Sequence, residues 1–137
     1  MAVSDVAAVR LGRDGARAAE VAELFRSAGL NAPLDDLARI ERMLEEAQDV
    51  VVARAEDGTL VGLVRVLTDF SFNAFIADLA VLPGWQGRGL GSQLVTAVVA
   101  DHPRVKFLVH PGHDSGPFWN KLGFEPAPTC LVRPRSE

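Results

Sequence analysis

Six residues constrain this chain more than any others: Gln86-Gly87-Arg88-Gly89-Leu90-Gly91. An apolar stretch with strand character, Phe75-Ile76-Ala77-Asp78-Leu79-Ala80-Val81, leads into them, and Pro83-Gly84 marks its exit. Residues 90–100 read as a helix. The unit is strand, glycine-rich turn, helix. Three glycines at alternate positions leave backbone N–H groups with no side chain above them and permit backbone angles that other residues resist. The start of the following helix brings unbonded N–H groups and the positive end of its dipole to the same place. A turn of this kind holds an anion, most often a phosphate.

Spacing narrows the choice of ligand. A P-loop needs Lys and then Ser or Thr after its last glycine. Here Leu90-Gly91-Ser92 stands instead, which argues against a nucleotide triphosphatase. A dinucleotide fingerprint needs G-x-G-x-x-G and an acidic residue about 20 positions on. The glycines here are spaced G-x-G-x-G, and the stretch lies too late in the chain for a second βαβ half. The hexapeptide resembles the pyrophosphate-binding motif of the GCN5-related N-acetyltransferase (GNAT) family, (Gln/Arg)-x-x-Gly-x-(Gly/Ala). Gln86, Gly89 and Gly91 fill its fixed positions. Leu79-Ala80-Val81-Leu82-Pro83 and Phe118-Trp119-Asn120-Lys121-Leu122-Gly123-Phe124 are similar to the same family at the expected separations. The resemblance runs from about Leu24 to Phe124 and is firmest from Asp78 to Gly91. A glycine-rich turn without a ligand is the plain alternative.

Composition sets outer limits. A chain of 137 residues suits one domain, here 1–137, and buries roughly 68% of its unfolded surface, enough for a core. The formal net charge is −4 with no basic cluster, which argues against a nucleic-acid partner and suits a cationic substrate such as an amine. The single cysteine, Cys130, excludes an intrachain disulfide and fits a reducing compartment. No apolar run approaches ~20 residues and no basic-then-apolar leader follows Met1, so a cytoplasmic protein without membrane contact is expected.

Taken in order, residues 1–7 read as a loose terminus and 8–11 as a first strand. Asp14 reads as the N-cap of a helix over 15–28, stopped by Gly29, and a second helix spans 34–47. Their apolar stripes read as core, with Phe25, Leu30 and Leu34 placed to overhang an acceptor site if the resemblance holds. Strands follow at 50–53, 60–67 and 74–82, joined by a hairpin turn at 56–59 and a turn at 68–73, and Gly62 suggests a bulge or a close backbone approach. After the helix at 90–100, a fifth strand at 105–109 should run parallel to the fourth. A last helix, capped by Asp114 or Ser115, reaches about Leu122, and a short strand at 129–133 ends the chain. The fold class is therefore α/β: a mixed sheet with helices on both faces and an antiparallel N-terminal meander.

The resemblance implies more. Strands four and five should be parallel and splayed, with the pantetheine arm of acetyl-CoA in the gap, pairing with the fourth strand like an added strand. Leu79 and Val81 would supply those backbone bonds, with Ala80 between them. Backbone N–H groups of Gln86, Gly87, Arg88, Gly89, Leu90, Gly91 and Ser92 would hold the pyrophosphate, with the Arg88 charge close by. Phe118, Trp119 and Lys121 would border the pantetheine or adenine end. The implied reaction is acetyl transfer from acetyl-CoA, a cosubstrate, to an amine in a ternary complex, and no metal is expected.

Such a reaction needs a group to take the amine proton and a donor, here a backbone N–H near Leu79 or Ala80, for the thioester oxygen. Asp78 is the leading candidate for the base, since a carboxylate in an apolar strand needs a partner or a role. A structural Asp78 bonded to backbone or to Arg65 is the equal alternative. Asp69, in the turn before the fourth strand, is the second candidate, as base or as a contact for the cationic amine, with Asn73 beside it; a turn-forming Asp is the alternative. The family usually has a Tyr four residues before the Gly of the Leu-Gly-Phe ending. This chain has Trp119 there and no tyrosine, and indole is no useful acid. His110 and His113 lie at the exit of the fifth strand, close to the expected cleft, where an imidazole could act as base or acid, but a loop role is the preferred reading for both. Their spacing lacks the further ligands of a metal site. The expected acceptor is a small primary amine, an arylalkylamine or a polyamine, ahead of a protein N-terminus or lysine. A homodimer through the terminal strands, as in many relatives, is the expected assembly. The rival is a degenerate acetyl-CoA-binding sensor or partner protein.

Overall fold

A computed structural model describes residues 9–137. The strands are β1 (Arg10–Gly12), β2 (Asp49–Arg54), β3 (Leu60–Thr68), β4 (Asn73–Val81) and β5 (Lys106–Val109), and they form one sheet in chain order. The helices are α1 (Ala18–Ala28), α2 (Leu37–Glu46), α3 (Leu90–Val99) and α4 (Gly116–Lys121). Neighbours from β1 to β4 are antiparallel, and β4 and β5 are parallel, as the intervening helix requires.

Strand alternation sends side chains to two cores. On one face Val51, Val64, Val66, Ala74 and Ile76 pack with Leu94, Val95 and Val98 of α3 and with Trp119 of α4. On the other, Val52, Leu63 and Ala80 pack with Val21, Leu24 and Phe25 of α1 and with Ile40 of α2. The apolar stripes of the first two helices are therefore core, each buried side chain of this size contributing about 1.5–3 kcal/mol.

Two irregularities shape the sheet. Between β2 and β3, Ala53 faces Gly62 while Arg54 faces Leu60, so Val61 is an extra residue. At Gly62 the backbone also comes close to α3: a Cβ there would lie 3.0 Å from Leu94 Cδ1. Between β3 and β4, Arg65 faces Asp78 and Val66 faces Ile76, so Ala77 is the extra residue. The bulge at Ala77 coincides with the end of the parallel ladder, whose last pair is Ile76 with Val109. A bulge bends and twists its strand. Beyond it, residues 77–81 keep β3 on one side and have no described strand on the other.

Several boundaries differ from those read in the sequence. α1 starts at Ala18 rather than near Asp14, because the Glu20 carboxylate accepts the Arg17 N–H at 2.9 Å and closes the first turn there. α2 starts at Leu37, where the Asp36 side chain accepts the Arg39 N–H at 3.1 Å. The first strand, read from Ala8, falls partly outside the described residues. No strand forms at 129–133. Pro128 and Pro134 bracket that segment, the Cys130 N–H turns back onto the Ala127 carbonyl, and Leu131 is 95% exposed.

Candidate functional site

A cleft of about 980 Å³ opens where β4 and β5 part. Ile76, Ala77, Asp78, Leu79 and Val81 form one wall, and Val109 and His110 face them from the end of β5. The glycine-rich turn and the start of α3 close the top, α4 contributes Phe118, Trp119 and Lys121, and the loop after α1 contributes Gly29, Leu30 and Asn31.

The turn is tied to the end of β4. Gln86 Nε2 donates to the Val81 carbonyl at 2.9 Å, and the Trp85 N–H donates to the Leu82 carbonyl. Gly87 and Gly89 have φ of 77° and 83°, in the left-handed region that other residues enter at a cost. Gly91 answers to a different constraint: a Cβ there would lie 3.2 Å from the Phe118 ring. Gly89 caps α3 with no side-chain bond to its first N–H groups. The result is a cradle of backbone donors at a helix N-terminus, open to the cleft.

Phe118, Trp119 and Phe124 interlock edge to face, with centroids 5.1 Å apart in each successive pair. Trp119, 6% exposed, belongs to the core and also borders the cleft. Arg88, expected beside the phosphates, lies with its guanidinium 5.1 Å from the centre of the Trp85 ring and is not part of the cleft wall. Leu79, Val81, Leu90 and Ser92 line the cleft, whereas Ala80 points into the α1 core.

The two carboxylate candidates fare differently. Asp78 is buried on the wall, and Arg65 Nε donates to its Oδ2 at 2.6 Å from the opposite position on β3. Both members of the pair are 9% exposed, so each compensates a charge that burial alone would penalise. Asp69 is off the wall, at the far end of β4 from the cleft. Its Oδ1 accepts the N–H groups of Phe72 and Ser71 at 2.8 Å each, and of Asn73 at 3.3 Å. Those bonds, Phe72 first, hold its carboxyl below the usual carboxylate range. The placement of Asp69 near an acceptor mouth is thus corrected: this carboxylate clasps its turn. Asn73 sits in the same turn, its carbonyl accepting from Thr68 Oγ1.

Of the residues expected to overhang an acceptor, Leu30 lines the cleft, while Phe25 and Leu34 pack into the α1 core. Trp85 and Asn31 are wall residues that the sequence did not single out for the site, and His110, weighed there as a base or acid but read as a loop residue, is a wall residue too. His110 carried a usable signal, its position at the carboxyl end of a parallel strand, where α/β sheets bind ligands. Among the described residues no group of three or more His, Cys, Asp or Glu could hold a metal ion, and no helix is long and apolar enough to cross a membrane.

Known proteins share this arrangement. The model of the acetyltransferase (GNAT) family matches residues 18–124. The histone acetyltransferase TAP1 of Glycine max is 43% identical over 44 residues, which cover 32% of this chain and 19% of that protein. The uncharacterised N-acetyltransferase ycf52 of Gracilaria tenuistipitata var. liui is 32% identical over 46% of each chain. The matches span between 18% and 46% of the length of these curated relatives. Among solved structures, a Deinococcus radiodurans R1 protein provisionally described as an acetyltransferase superposes with a TM-score of 0.77 at 28% identity, over 93% of this chain and 90% of that one. The GNAT-family acetyltransferase SP0256 of Streptococcus pneumoniae TIGR4 shares the fold, with a TM-score of 0.74 at 22% identity over 94% and 98% of the two chains.

Proposed function

The chain belongs to the GNAT acetyltransferase family, whose fold implies acetyl-CoA as the acetyl donor; from that premise we propose an N-acetyltransferase that moves the acetyl group directly onto a primary amine. One observation carries the reading. The parallel ladder stops at Ile76 and Val109, while β4 runs on along an open cleft to a turn of unshielded backbone donors.

The residues present fit the donor. A Cβ on Gly87 or Gly89 would meet nothing within 4 Å, so the ground above the turn is open, while their backbone angles keep side chains away from it. The N–H groups from Gly87 to Ser92 would hold the pyrophosphate, the open edge of residues 77–81 the pantetheine arm, and Phe118, Trp119 and Lys121 its flank; the Gln86 N–H, expected among the donors, is instead bonded to the Pro83 carbonyl at 3.3 Å. Acetyl-CoA supplies an activated acyl carbon when bound. The chain supplies position: the Gln86 bond to Val81 fixes the turn against the strand, and the Arg65–Asp78 pair pins β4 at its bulge. Leu79, Val81 and Trp119 keep that wall apolar. Trp119 can donate a hydrogen bond but not a proton, so the sulfur is protonated from the amine or from water.

The acceptor in this reading is a small primary amine, such as an arylalkylamine or a polyamine. A protein amine is the second choice, supported by the 44-residue likeness to a histone acetyltransferase. A sensor that binds acetyl-CoA without turnover is favoured only by Trp119 standing in place of the usual Tyr. Thermal-shift titration with acetyl-CoA, run beside thiol release in the presence of 2-phenylethylamine, spermidine or a lysine-containing peptide, separates these readings. Stabilisation with thiol release for one amine is the expected result. Stabilisation with no release for any amine supports the sensor, and no stabilisation overturns the site.

A further inference from the structure

His110 leaves β5 at the point where the two parallel strands part, on the wall of the cleft. Leu108 faces Phe75 across the ladder, and alternation puts His110 on the same face. The imidazole meets the Phe75 ring edge to face, with centroids 5.6 Å apart and planes at 88°. Asp78 projects from that face too, because it stands opposite Arg65, which alternates with Leu63 of the α1 core. His110 and Asp78 therefore occupy the two arms of the gap, on the side where Leu30 and Asn31 complete the wall.

The titratable side chains on the wall are Asp78, His110 and Lys121. Asp78 is engaged with Arg65 at 2.6 Å. An ammonium such as that of Lys121 has no lone pair to accept a proton. In the loop after His110, His113 and Asp114 are directed to each other at 3.4 Å and are almost fully exposed. No hydrogen bond or ion pair to a described residue engages His110, whose one ring contact, with Phe75, is apolar. Imidazole is also the side chain that exchanges a proton near neutral pH.

We propose that His110 is the general base that deprotonates the acceptor ammonium. The assignment rests on the N-acetyltransferase reading. His110 takes one proton from the ammonium and leaves a lone pair on nitrogen. The nitrogen bonds to the acetyl carbon as the carbon–sulfur bond breaks. A second proton passes from nitrogen to sulfur, giving amide and thiol, and His110 returns the first proton to water. Asp78, held by Arg65, keeps the opposite wall in place.

The test uses the full chain with acetyl-CoA and the most active amine of 2-phenylethylamine, spermidine and a lysine-containing peptide. His110→Gln should keep its stabilisation by acetyl-CoA and lose about a hundredfold or more in kcat/KM near neutrality. The acid limb of the wild-type pH profile should give way to a steady rise into alkaline pH, where the free amine forms unaided. Added imidazole should restore part of the rate to His110→Ala. Independently of turnover, the His110 ring resonances, identified by their loss in His110→Gln, should shift when the amine is added to the CoA complex. An unchanged pH profile in His110→Gln, or ring resonances indifferent to the amine, overturns the assignment. Wild-type protein that releases no thiol with any of the three amines overturns the transferase reading and the assignment with it.

Discussion

The two halves of β4 make the sharpest contrast in the molecule. Residues 73–76 have β3 on one side and β5 on the other, and Ala74 and Ile76 lie in the α3 core at 4% and 2% exposure. Residues 77–81 belong to the same strand but, among the described strands, keep only β3 as a neighbour. The lower half spends its backbone hydrogen bonds on the sheet. The upper half holds part of them open along the cleft, and backbone groups left open need a partner from water or a ligand. One extra residue, Ala77, with a buried ion pair directly above it, divides a segment paired on both sides from a segment that borders the open cleft.

That division predicts which substitutions act on the fold and which on the ligand. Asp78→Asn should have the largest effect, about 3–5 kcal/mol of stability by urea denaturation, because Arg65 keeps a buried charge without its counterion. The double variant Arg65→Met with Asp78→Leu should recover much of it; a single variant that costs nothing would mean the pair does not pin the boundary. Ile76→Ala, in the lower half, should cost about 2–5 kcal/mol and leave acetyl-CoA affinity unchanged where the protein is folded. Gly89→Val should do the reverse, weakening acetyl-CoA about a hundredfold, roughly 2.7 kcal/mol by calorimetry, by forcing a branched side chain into a left-handed cradle. Equal effects of the last two on stability and on binding would erase the contrast.

The smallest effect belongs to Asp69, beyond the lower end of β4. Its carboxyl is held below the usual range in the fold, by the Phe72 N–H first and the Ser71 N–H next. The stabilisation it gives is therefore present above the ordinary carboxylate range and is lost as pH falls through the depressed value. The gap in Tm between wild type and Asp69→Ala should be widest near neutrality and close under acid. A gap independent of pH would show that the turn does not depend on the charge.

Much of this division was legible in the sequence. Gln86 to Gly91 announced the turn, the helix at 90–100 forced β4 and β5 to be parallel, and Arg65 was named as a partner for Asp78. The bulge was not legible. Ala77 is as apolar as its neighbours, so nothing in Phe75-Ile76-Ala77-Asp78 marks which residue is extra, and only pairing with β3 decides it. Asp69 stayed open between two readings, the turn-forming one slightly favoured, because turn-forming and catalytic carboxylates look alike until the N–H groups that donate to them are known. Arg88 has a charge that suits a phosphate, and its guanidinium lies 5.1 Å from the centre of the Trp85 ring, outside the cleft wall. The strand expected at 129–133 had suitable side chains, yet Pro128 and Pro134 bracket it and no described strand pairs with it. His110 lay in plain view, but its value depends on where β5 stops pairing with β4.

Hydrogen exchange along β4, with and without saturating acetyl-CoA, tests the central claim most directly. The upper half should gain protection at residues 77–81 and in the turn at 86–92, while residues 73–76, already paired on both sides, should not change. Exchange at 77–81 that is indifferent to bound acetyl-CoA, or protection gained equally along the whole strand, would contradict the account.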